Sequence, residues 1–146
     1  MKLHKIDHVG VIVNDLSAAK AFFLDFGLEV AGEWESEGTW MGEIAGLNDG
    51  KTACVGMRTP GGETWIELIQ FLSPTDEKGM QQPFANSHGN RQHIAFAVED
   101  IEAIVAKLKE KGKGVFSEIR QYEDQYKLCF CRGPEGIILE LAEQIK

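Results

Sequence analysis

The sequence holds little of several things that would otherwise set its class. Only three of its 146 residues are cysteine, an odd number, and Cys129 and Cys131 alternate within Lys127–Arg132, which reads as a strand. Neighbours but one on a strand point the same way, with Cα atoms about 6–7 Å apart, so a disulfide between them is not expected. Reduced thiols and a cytosolic setting follow. No apolar run approaches the roughly eighteen residues that a membrane span needs. Met1-Lys2 leads straight into a strand-like pattern rather than into a signal segment. Basic residues are scarce too: 15 Lys and Arg stand against 23 Asp and Glu, a net charge of -8. That balance speaks against nucleic acid and anionic membranes as partners and leaves a small-molecule substrate open.

What is present is ordinary globular material, 43% apolar and 26% charged, long enough for one buried core or for two small modules sharing one. Its main feature is a repeat. The stretch from Ile6 through His8 to Ala19 is matched 85 residues later by the stretch beginning at His93. Under that shift His8 meets His93, Val13 meets Val98, Asp15 meets Asp100, Leu16 meets Ile101, Phe23 meets Leu108 and Gly27 meets Gly112. The ends of the copies correspond as well: Pro60 to Ile69, containing Glu67, parallels Pro134 to Ala142, containing Glu140. A duplicated module is indicated, with function expected where the copies face each other.

Alternation predicts a strand over 5–13 in each of whose faces apolar residues dominate, which implies cover on both sides. Asn14 or Asp15 is placed to cap a helix running to about 26, with Leu16, Ala19, Phe23 and Phe26 as its stripe and Gly27 as its stop. Strands are predicted near 29–35, 39–45, 51–58 and 64–71. Residues 72–92 form the long polar stretch of the chain and read as a linker. The second copy predicts a strand over 93–98, a helix from Asp100 to Lys111 with Ile101, Ile104, Val105 and Leu108 as its stripe, and strands near 115–121, 126–132 and 136–142. One domain over 1–146 is expected, with module one at 4–71 and module two at 93–146. Each module opens on a strand carrying His and closes on a strand carrying Glu.

Glu67 and Glu140 lie inside apolar runs, Trp65–Phe71 and Ile137–Ala142. A carboxylate there is costly to desolvate unless it has a partner or binds a cation. A lone Glu of this kind is usually an edge residue or half of a salt bridge, and a lone strand His is usually a hydrogen-bonded core residue. Four residues of metal-ligand type at equivalent places in two copies suggest something else. If the copies pack about a pseudo-twofold axis, His8, Glu67, His93 and Glu140 converge, and two imidazoles with two carboxylates suit Zn, Ni, Co, Mn or Fe as a divalent ion. Such an ion polarises a carbonyl while a carboxylate carries the proton from the adjacent carbon.

These motifs, His8-Val-Gly-Val, Ile66-Glu-Leu-Ile, His93-Ile-Ala-Phe and Gly133-Pro-Glu-Gly-Ile-Ile-Leu-Glu-Leu, resemble the vicinal oxygen chelate superfamily of glyoxalases, bleomycin-resistance proteins and dioxygenases. The resemblance covers essentially the whole chain. It implies an α+β fold of two βαβββ modules whose curved mixed sheets surround a metal-centred cleft, in a homodimer. It also implies His8, Glu67, His93 and Glu140 as ligands and a glyoxalase I-like lyase or isomerase, with Glu140 as the first choice of base and Glu67 as the second. Two alternatives come with the resemblance. One is an epimerase of 2-substituted acyl thioesters such as methylmalonyl-CoA, a group that usually carries Gln at the place of Glu67. The other is a protein that sequesters an antibiotic or metabolite without turning it over. Arg58, Arg91 and Arg132 are placed to meet a substrate carboxylate, although arginines at strand ends are commonly solvated. Among Trp34, Trp40 and Trp65, the last shares a strand face with Glu67 and is the pocket candidate. His4 has the parity of His8 and reads as a surface residue.

Overall fold

A computed structural model describes residues 1–38, 50–73, 93–115 and 117–145. The predicted strand over 39–45, Trp40, Arg91, Phe116 and nearly all of the 72–92 linker lie outside the described residues. The chain divides into two compact units, Met1–Gly79 and Met80–Lys146. Among the described residues they hold two helices and nine strands arranged in two mixed sheets, an α+β architecture.

In the first unit, β1 (His8–Ile12) is followed by α1 (Leu16–Phe26), β2 (Glu29–Gly38), β3 (Gly50–Arg58) and β4 (Trp65–Ser73), with sheet order β1-β4-β3-β2. β1 runs parallel to β4, and the other neighbours are antiparallel. α1 starts where Asp15 accepts from the Ala18 amide and stops where Gly27 turns left-handed at φ 117°, as its sequence pattern predicts. Its buried residues Ala19 and Phe23 cover the sheet face made by Val11, Val55, Met57, Ile66 and Leu68.

The second unit repeats this plan: β5 (Ile94–Ala97), α2 (Ile101–Glu110), β6 (Gly114–Val115), β7 (Arg120–Tyr122), β8 (Tyr126–Arg132) and β9 (Ile138–Gln144). The sheet order is β5-β9-β8-β6, with β7 also on β8, and β5 is parallel to β9. Asp100 caps α2 through the Ala103 amide. Ile101, Val105 and Leu108 are buried against a face carrying Cys129, Cys131, Leu139 and Leu141. Both strand cysteines are free and buried, and burial pushes the Cys131 thiol up to about 11.

One tie occurs in both units and binds each helix to the closing strand. The Gln70 side chain of β4 accepts a hydrogen bond from the Leu16 amide at 3.0 Å, and the Glu143 side chain of β9 accepts from the Ile101 amide at 3.3 Å. Each answers an amide of the first helical turn, which has no partner within its helix. These residues stand three places beyond Glu67 and Glu140 and so point to the helix side, opposite the glutamates.

Three expectations need correction. β1 is covered on one face only: Val11 and Val13 are buried, whereas Ile6 and Ile12 on the other face are 70% and 49% exposed. The reason is that β1 is an edge strand, at the end of its sheet. The strand predicted over 115–121 is two short pieces, β6 and β7. The last strand begins at Ile138 rather than 136 because a 3₁₀ turn over Pro134–Gly136, with Glu135 and Gly136 at positive φ, precedes it. Arg132 donates to the Gly136 carbonyl at 3.1 Å and so braces that turn.

Candidate metal centre

The parallel strand pairs place the functional side chains. In β4, Ile66 and Leu68 are buried on the helix side, so alternation turns Glu67 to the opposite face, where its side chain is 18% exposed. In β9, Leu139 and Leu141 do the same for Glu140, also 18% exposed. The register explains why each meets a histidine. Gly10 of β1 lies beside Glu67, with His8 two residues earlier on the same face; Ala95 of β5 lies beside Glu140, with His93 two residues earlier. The two units thus hold the same His–Glu register.

The two pairs differ in detail. His93 Nε2 is 2.8 Å from Glu140 Oε2, and the imidazole packs at a tilt on Phe130, with ring centres 5.5 Å apart. His8 Nε2 is 3.7 Å from Glu67 Oε2, too far for a hydrogen bond. Its other nitrogen, Nδ1, donates to Asp7 Oδ2 at 2.8 Å, and its ring stacks on Trp65 with centroids 4.4 Å apart and planes at 25°. Where Nδ1 carries the one ring proton, Nε2 and the Glu67 oxygen are both acceptors, and a cation between them would satisfy both. Donor atoms sharing an ion at about 2.1 Å stand roughly 3–3.5 Å from one another, and the observed 3.7 and 2.8 Å bracket that range. One imidazole and one carboxylate in each unit are therefore a donor pair of the kind that suits a divalent ion. Within either unit, among the described residues, no group of three or more His, Cys, Asp or Glu stands ready to hold a metal.

The whole of this pattern lies within one family. The family model of the Glyoxalase/Bleomycin resistance protein/Dioxygenase superfamily matches residues 5–141. The chain belongs to that superfamily. Among solved structures, a glyoxalase family protein from Bacillus cereus is similar over 100% of this chain and 97% of its own, with 36% identity and a TM-score of 0.91. The uncharacterized protein YaeR of Escherichia coli strain K12 is 30% identical over 97% of this chain and 98% of its own length. The trypanothione-dependent glyoxalase I of Leishmania major shares the fold at a TM-score of 0.69 and 21% identity, over 97% of this chain and 87% of that one.

Around Glu67 this superfamily member builds an aromatic wall. Trp34 of β2 meets Trp65 edge to face at 5.8 Å, and Trp65 in turn lies on His8. Gly56, in register with Glu67, makes room for both indoles: a Cβ there would come within 3.0 Å of the Trp65 ring and 3.4 Å of Trp34. Gly56→Ala is therefore expected to destabilise the protein by about 1–3 kcal/mol through overpacking. The readout is a lowered urea midpoint with a shift in tryptophan fluorescence, and an unchanged spectrum would contradict this packing. Cys54 sits on the same face and stays a thiol: burial pushes it up, a hydrogen bond with Thr52 opposes that, and the Glu67 charge adds to the rise.

Trp65 opens β4 two residues before Glu67, and one face of its ring is taken by His8. Arg58 is exposed at the end of β3, with the face parity of Gly56. Arg132 is engaged with its own turn, and His4 is exposed. Sequence reading missed Asp7, Phe130 and Gly56. Only Asp7 carried a usable signal, as an acid directly before a candidate ligand.

Proposed function

We propose that the two His–Glu pairs, His8 with Glu67 and His93 with Glu140, hold one divalent ion of the Zn, Ni, Co, Mn or Fe group, and that the protein is a glyoxalase-type lyase or isomerase. The observation that carries this reading is the same His–Glu register in both units, in a chain of this superfamily. A bound ion would supply Lewis acidity, stabilising negative charge on a substrate carbonyl as the neighbouring carbon loses a proton. The protein's own part is to take that proton and return it. Glu140 is assigned as the base: its carboxylate is mostly shielded from water and His93 lies 2.8 Å away to orient it. Glu67 is assigned as the carboxylate balancing the ion's charge, beside the His8–Trp65 stack. Trp65 and Trp34 form an apolar wall for the body of a small substrate, and Arg58, exposed at the end of β3 with the face parity of Gly56, is assigned to a substrate carboxylate.

Metal analysis tests the centre directly. Purified wild type is expected to carry about one ion per chain, and the double variant His8→Ala with His93→Ala to carry almost none. Full occupancy in the double variant would sink the proposal.

A further inference from the structure

The two histidines are held in different ways. His93 Nε2 lies 2.8 Å from its own glutamate, Glu140. His8 is restrained from outside the pair, by Asp7 at Nδ1 and by Trp65 across its ring face, and its Nε2 stands 3.7 Å from Glu67. A carboxylate only accepts hydrogen bonds, so the 2.8 Å contact calls for a proton on Nδ1. Which ring nitrogen is free to ligate is set by the hydrogen bond that the other one makes.

We infer that Asp7 is a positioning residue, whose carboxylate keeps His8 in the Nδ1–H tautomer and presents Nε2 toward Glu67 before an ion arrives. The inference rests on the metal reading for its purpose but not for its geometry. The corresponding place before His93 is held by Gln92, which lies outside the described residues. Asp7 can be changed without undoing the fold: its side chain is 65% exposed, and the strand contact it makes to Trp65 uses its backbone carbonyl.

The first test needs no metal. Long-range ¹H–¹⁵N NMR of the metal-free protein reports which nitrogen of His8 is protonated. Wild type is expected to show the Nδ1–H form, and Asp7→Ala to shift toward the Nε2–H form. A wild-type His8 in the Nε2–H form would overturn the inference. The second test is titration with Zn²⁺: Asp7→Ala is expected to bind about tenfold more weakly, the low end of the range for outer partners of metal ligands because Asp7 is exposed. Asp7→Asn, which keeps an accepting oxygen, is expected to recover most of the loss. Equal affinity in wild type and Asp7→Ala would overturn the role. A wild type that binds no ion yet keeps the Nδ1–H tautomer would support the orienting contact and count against the metal reading alone.

Discussion

Replacing Glu140 by Gln is expected to lower turnover by about 10²–10⁴-fold, the usual contribution of a positioned general base. Gln has nearly the same shape, and its strand neighbours Leu139 and Leu141 keep their burial on the helix side, so thermal stability should change little. The measurement is exchange in D₂O of the proton next to the carbonyl, with small 2-hydroxy carbonyl compounds as the probe series. Exchange follows the proton-transfer step directly. Glu67→Gln serves as the comparison, because Glu67 shares the strand register but meets a histidine held 3.7 Å away. A larger loss in Glu67→Gln than in Glu140→Gln would reverse the two roles. Equal rates in wild type and Glu140→Gln would remove Glu140 as base.

Phe23→Ala is expected to cost about 3–5 kcal/mol of stability. Phe23 is wholly buried on the sheet side of α1, and its ring packs edge to face with Phe22 and Phe26 at 5.3 and 6.5 Å. Removing it leaves a void that the sheet beneath cannot close, because Leu68 and Met57 are themselves at 0% exposure. Leu24→Ala, one residue on and 46% exposed, is the control and should stay within about 0.5 kcal/mol. Urea denaturation of both variants against wild type checks the difference, with fluorescence and circular dichroism followed together to test for a single transition.

The parts of this fold that could be read in advance are those governed by local chemistry. Both helix starts rest on an aspartate whose side chain meets an amide three residues on, and the first helix stops at a glycine in a conformation that other residues rarely adopt. Such contacts are short in sequence and leave a visible pattern. The His–Glu pairs were legible for a different reason: duplication repeated an otherwise ambiguous combination, and a polar residue in an apolar run is conspicuous. Harder to see were features set by pairing between distant strands. Gly56 reads as an ordinary strand glycine until β3 is laid beside β4 and the Trp65 ring is found above it. The helix ties from Gln70 and Glu143 join residues 54 and 42 positions apart, and no local pattern announces them. The division of 115–121 into two strands and the exposure of Ile12 depend likewise on which neighbours the sheet provides.

The shared register has a bearing on how such a protein can change. Because Gly10 is level with Glu67 and Ala95 with Glu140, the pairs are fixed by which rungs of the ladder face each other, and the contour of chain in between does not enter. That contour is already longer in the first unit than in the second, yet the offset of histidine from glutamate is the same. Insertions between the strands are thus open to variation, whereas a slip of one residue inside β4 or β9 would swing the glutamate to the helix side and bring a leucine or isoleucine into its place. Change can work on the connecting loops while the strands that carry histidine and glutamate keep time.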